Sequence, residues 1–228
     1  MKKILMTLAV LILTGAAANA QAYRNSRYYN QRTGHLDYSL RKNMYERGEN
    51  YYGLRIGPSF STVNSDDPCL DGGDSQTGLN IGAVAGIALS DKAPLFLETG
   101  LYYTEKGGKK KIENGKKMTY DLNYLEVPIT VKYAYPIDEN FSIQPFAGGY
   151  LACGVGGKIK NYREREADPS FSSDRFKRFD GGLRLGCGVA YDMFYADLTY
   201  DVGLANICHD EFDTSHNGCL TLNFGVNF

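Results

Sequence analysis

Residues 123–136 read NYLEVPITVKYAYP. Leu125, Val127, Ile129, Val131, Tyr133 and Tyr135 fall at every second position, the period of a β-strand. Between them stand Glu126, Pro128, Thr130 and Lys132. A carboxylate, a proline and an ammonium on the face that a soluble sheet would bury carry a heavy desolvation cost. The pattern is consistent if the apolar face meets hydrocarbon and the charged face turns into an enclosed, polar lumen.

The same template recurs eight times from Tyr51 onward, over 51–63, 78–90, 95–106, 118–135, 141–155, 177–191, 194–206 and 217–228. One face is apolar throughout. The other carries Arg55, Glu98, Glu126, Lys132, Asp180, Arg184, Asp197 and Asp201, interleaved with glycine. The connections alternate in length. Those at 91–94, 136–140 and 191–193 are short, and those at 64–77, 107–117, 156–176 and 207–216 are long. Short periplasmic turns and long outer loops mark a membrane barrel. The expected fold is all-β: an eight-stranded antiparallel up-and-down transmembrane β-barrel. Ten strands is the alternative, if a long loop hides a hairpin.

Such a barrel is just wide enough for side chains to fill. The charged residues should therefore pair with one another, and the glycines should relieve crowding. Pro128 lacks a ladder donor and predicts a bulge or bend. Tyr51, Tyr52, Tyr102, Tyr103, Tyr133, Tyr135, Tyr191, Tyr195 and Tyr200 are candidates for interfacial girdles in a chain with 18 Tyr and no Trp.

Residues 1–20 (MKKILMTLAVLILTGAAANA) combine two lysines, a short apolar run and a small-residue cleavage site, the marks of a secretory signal peptide. Residues 21–50 show no alternation and read as a periplasmic tail, with a short helix around 36–47. Residues 51–228 form the barrel domain. The net charge of −1 gives no basic field, so nucleic acid is not an expected partner.

The Tyr52-Gly53-Leu54-Arg55-Ile56-Gly57 start, the YLEVP stretch (Tyr124–Pro128) followed by Lys132-Tyr133, and the terminal Phe228 resemble the small outer-membrane β-barrel family of Bacteroidota. Its members are often labelled porin-family or PorT-like. The resemblance covers 51–228 and implies a multi-pass barrel in the outer membrane of a Gram-negative cell. It does not imply transport. The terminal aromatic resembles the signal read by the barrel assembly machinery, which it implies as a partner in biogenesis.

The loops carry the remaining chemistry. In GGKKKIENGKKM (107–118), Asn114-Gly115 signals a type I′ turn. Lys109, Lys110, Lys111, Lys116 and Lys117 could hold lipopolysaccharide phosphates, or serve only to keep a protruding hairpin soluble. In CHDEFDTSH (208–216), His209 and His216 flank carboxylates without a firm metal motif, and a solvated loop is the alternative. No cofactor or metal is expected. A His with Ser215 or Asp197 would be needed for a barrel hydrolase. Nothing selects those residues, so no enzyme is expected. Of five Cys, Cys208 and Cys219 are the expected disulfide, with Cys69 bonded to one of them as the alternative. The leading expectation is a barrel with a plugged polar lumen and a structural or surface-binding role. Its outer loops would meet outer-membrane lipid, lipopolysaccharide, a protein or a small ligand. A narrow channel for small solutes is the second reading and a membrane-embedded hydrolase the third.

Overall fold

The computed structural model describes residues 29–30, 35–36, 50–65, 74–90, 93–111, 117–138, 140–160, 168–171, 177–207 and 215–228. Eight long strands form the wall: β1 (Tyr51–Ser65), β2 (Asp74–Ala88), β3 (Leu95–Lys111), β4 (Lys117–Tyr133), β5 (Phe141–Gly156), β6 (Phe179–Tyr191), β7 (Phe194–Gly203) and β8 (Ser215–Asn227). Each pairs antiparallel with its neighbours in sequence, and β8 pairs with β1 to close the ring.

The register fixes the size. Paired residues run once round the barrel from Tyr51 through Gly86, Glu98, Thr130, Gly148, Arg184, Asp201 and Cys219 to Ser61, ten residues further along β1. For eight strands that offset gives a tilt of about 40° and a backbone radius of about 8 Å. Long side chains reaching inward from opposite walls then meet near the axis.

The alternation read from the sequence holds along β4. Leu125, Val127, Ile129, Val131 and Tyr133 are outward and exposed, whereas Glu126, Thr130 and Lys132 are buried. No bulge occurs at Pro128. The β4–β5 register runs unbroken through it and shifts instead at Asn123/Tyr124. On the β3 side the ladder skips Gly100 and Leu101 opposite Pro128 and Val127, then resumes in the same register. The missing N–H is thus absorbed as a gap, and Thr99 Oγ1 donates to the Pro128 carbonyl at 2.8 Å. A like gap faces Pro58 between β8 and β1.

The long connection after β5 does hide a hairpin. Lys158–Lys160 pairs with Asp168–Pro169 and with Thr119–Tyr120 of β4. These are two short extra strands above the wall, and the barrel count stays at eight. The basic segment is a hairpin as expected, with Lys111 opposite Lys117, though its turn and Lys116 lie outside the described residues. Residues 1–20 also lie outside them. In the tail, Tyr29–Asn30 pairs with His35–Leu36, so Leu36 is extended rather than the start of a helix. Residues 37–49 are not among those described.

Candidate functional site in the barrel lumen

Strand parity delivers the eight expected charged residues to one interior. Arg55, Glu98, Glu126, Lys132, Asp180, Arg184, Asp197 and Asp201 are all buried. They form two belts. In the belt toward the long loops, Arg184 grips Asp201 through Nε and Nη2, each at 2.7 Å, and its Nη2 also donates to Glu126. Lys106 completes this belt, with Nζ 2.8 Å from Glu126 Oε2 and 3.8 Å and 3.9 Å from Asp201 and Asp180. Its ammonium lies 4.3 Å from the Tyr150 ring centre. Asn217 donates to Asp180 at 2.8 Å.

In the belt toward the short turns, Lys132 Nζ donates to Glu98 at 2.7 Å and to the Tyr195 hydroxyl at 2.8 Å. Tyr51 donates to the same Glu98 oxygen at 2.5 Å. Arg55 stacks 3.9 Å over the Tyr195 ring and stands 3.9 Å from Glu98. Between the belts runs a polar chain that ends on the Asp197 carboxylate. Thr104 donates to Asn80, Asn80 to Asn223, and Asn223 and Thr199 to Asp197, all within 2.7–2.9 Å. A buried charge is tolerable only when so partnered.

Above the upper belt the lumen turns apolar. Val63, Leu122, Tyr120, Tyr124, Ile159, Phe171 and Ile207 pack together, the last three from the long connections and the short strand Lys158–Lys160. Phe171 meets Tyr124 edge-on at 5.5 Å. It lies against Gly154, where a Cβ would strike its ring. The same device recurs below: Tyr51 lies on Gly86, Tyr102 on Gly82, Phe146 on Gly186 and Tyr195 on Gly188. Glycine in this barrel makes room for rings.

Three girdle candidates therefore need correction. Tyr51, Tyr102 and Tyr195 face the lumen, whereas Tyr52, Tyr133, Tyr135, Tyr191 and Tyr200 are exposed on the outside. Lys106 escaped the sequence reading. It is the last residue of the strand read over 95–106, at lumen parity with Glu98 and Tyr102, and borders the lysine-rich loop. Gly107, at φ +146°, breaks the alternation just beyond it. Cys219 is a free buried thiol on the lumen face, next to Asp201 in the ladder, and so does not form the expected bridge. Its proposed partner Cys208 lies outside the described residues, as do His209 and the acids of that loop. His216 stands opposite Asn64 and Asp197 opposite Asn223, seven residues apart along β8. At about 3.3 Å per residue they do not meet, so no catalytic pair forms between them.

A family model, the outer membrane protein beta-barrel domain, matches residues 21–209. The chain belongs to this family. Its place is therefore the outer membrane. Among solved structures it is similar to Ail, the attachment invasion locus protein of Yersinia pestis, at 16% identity over 79% of this chain and 99% of that one (TM-score 0.42). Neisserial surface protein A is similar at 15% identity over 78% and 97% (TM-score 0.48). OprG from Pseudomonas aeruginosa is similar at 13% over 78% and 96% (TM-score 0.46). These are likenesses in fold, at identities too low to carry an activity across. No curated protein matches the chain.

The apolar cap has a measurable consequence. In a variant with Cys69 and Cys208 changed to Ser, a charged maleimide should leave Cys219 unmodified, since Cys153 and Cys187 face lipid and Cys219 lies beneath the cap. Phe171→Ala should raise labelling by about tenfold or more, the factor that ~1.4 kcal/mol of lost closure gives. Equal rates in both proteins would mean that Phe171 does not seal the mouth.

Proposed function

We propose that this protein is a sealed outer-membrane barrel that acts through its extracellular face and does not conduct solutes. The observation that carries the reading is the stacking of two buried, ion-paired belts beneath an apolar cap. Lys106, Glu126 and Lys132 are each 0% exposed. An aqueous path would have to hydrate these groups and break their pairs. Export by residues 1–20 and a closer kinship with PorT-like barrels of Bacteroidota, carried by the YLEVP stretch, complete the proposal. The test is planar-bilayer recording of refolded protein, with heat-modifiable gel mobility as proof of folding. Folded protein without current steps is the expected result. Steady, reproducible steps would overturn it in favour of a narrow channel. Five buried carboxylates against four buried cations would make that channel cation-selective.

A further inference from the structure

The apolar band on the outside of the barrel is not level. At the tilt given above, each residue along a strand advances about 2.5 Å along the barrel axis, and each paired step toward β8 adds about 3 Å. The outward face of β6 is apolar over its whole length, from exposed Phe179 to exposed Tyr191, about 30 Å of axis. On β1 and β4 the outward runs Tyr52–Phe60 and Leu125–Tyr133 span about 20 Å. A membrane barrel ordinarily carries a band about 25 Å tall.

The difference lies at the loop end. About 25–30 Å above Tyr51, one side of the ring presents Cys153, Val155, Phe179 and Leu204, all exposed. Phe179 is paired with Cys153, and the Leu204 amide donates to the Gly181 carbonyl at 2.9 Å, so these ends of β5, β6 and β7 form one surface. Exposed Leu151 joins it to the band below. Arg178, beside Phe179, turns the other way: its Nη1 donates to the Gly154 carbonyl at 3.1 Å and its guanidinium lies over the Phe171 ring. The first exposed charge beyond Val155 is Lys158. At the same level the far side of the ring presents Thr62, Thr77 and Glu105, and Glu105 accepts from the Leu79 amide at 3.1 Å. The topmost apolar residues there, Phe60, Leu79 and Tyr103, stop about 19–23 Å above Tyr51. Thr77 lies about half a circumference from Phe179.

From this placement we propose that Leu151, Cys153, Val155, Phe179 and Leu204 are an acyl-chain-facing extension of the lipid band. The hydrocarbon of the outer leaflet then stands about 5–8 Å higher against this side of the barrel than against the side of Thr77 and Glu105. Continuity decides the occupant: the patch runs without a charged residue into the wall that already meets lipid. Immersing a phenyl ring and its aliphatic neighbours gains more than the modest cost per Å of raising the leaflet or inclining the barrel. The inference holds whether or not the lumen conducts.

The chain contains no Trp, so a single introduced indole reports its own surroundings. The test uses the full mature chain carrying Phe179→Trp, Thr77→Trp or, as the reference within the band, Leu125→Trp. Each is refolded into phosphatidylcholine vesicles brominated on the upper part of both acyl chains, with heat-modifiable mobility as proof of folding. Val155→Trp replaces Phe179→Trp should that variant not fold. The indole at 179 should lose as much emission to the bromines as the one at 125 and resist iodide present on both sides of the membrane. The indole at 77 should show the reverse. Iodide quenching at 179 would place the patch in water and overturn the proposal. Protection at 179 from both quenchers would mean that another molecule, such as a second copy of the chain, covers the patch, and would also overturn it. Equal bromine quenching at 77 and 179 would make the boundary level and overturn the asymmetry.

Discussion

Glu126→Ala should destabilise the folded barrel by about 3–5 kcal/mol, the cost of removing one member of a buried ionic group. Glu126 faces two cations at once, Lys106 and Arg184, and neither has water to fall back on. Arg184 keeps Asp201, but the nearest remaining acids to Lys106 stand 3.8 Å and 3.9 Å away. Lys106→Met alone should cost less, because Glu126 retains Arg184. Combining Lys106→Met with Glu126→Leu should recover part of the loss, since hydrophobic replacement of a whole buried pair is often neutral. Urea unfolding of refolded protein, followed by heat-modifiable mobility, reads all three. An Ala variant with unchanged midpoint would show that water enters the belt. That result would also undercut the sealed-lumen reading.

The second large effect lies on the opposite face of the same strand. Ile129→Arg should cost about 2–4 kcal/mol, the depth-dependent cost of an arginine facing lipid near the bilayer midplane. Ile129 is 50% exposed and sits in the middle of the outward run from Leu125 to Tyr133. Tyr133→Arg, at the end of that run, should cost about 0–1 kcal/mol, the value near an interface. The contrast between the two positions is the readout, measured by equilibrium unfolding in liposomes. Equal small costs at both would place the hydrocarbon elsewhere on the wall.

What the sequence could and could not disclose follows from how side chains respond to two solvents. Along the membrane-spanning part Leu, Ile and Val mostly take the lipid side, and Glu, Asp and Arg the lumen. Their alternation therefore announced eight strands, the closed ring and eight charged lumen residues. Tyrosine suits both sides, with a ring for lipid and a hydroxyl for a buried carboxylate. Tyr51 and Tyr52 are neighbours in sequence and face opposite ways. Tyr51 shares the parity of Arg55 and Tyr52 that of Leu54, and the bond of Tyr51 to Glu98 fixes it in the lumen. Lys106 stands at the very end of its strand, next to the lysine and glycine of the following hairpin, where a lysine is as readily read as a solvated loop residue. Pro128 was read for its missing donor, yet a single gap in the ladder absorbs that loss without a change of register. The cap was not legible at all. Phe171 and Ile207 belong to long polar connections, and only the fold brings them back over the mouth.

The closing seam has one more implication, for timing. The main chains of Tyr52 and Phe228 bond to each other in both directions, at 2.7 Å and 3.2 Å. The beginning of the first strand is thus joined to the end of the last. Until β8 has been made, β1 lacks its partner, and every partial wall leaves a strand edge unpaired. The belt toward the long loops is in the same position: Lys106 and Glu126 come from early strands and pair with each other, but Arg184 and Asp201, which complete it, come from late ones. The ring can close only in one late, largely non-local event, the kind that topology makes slow.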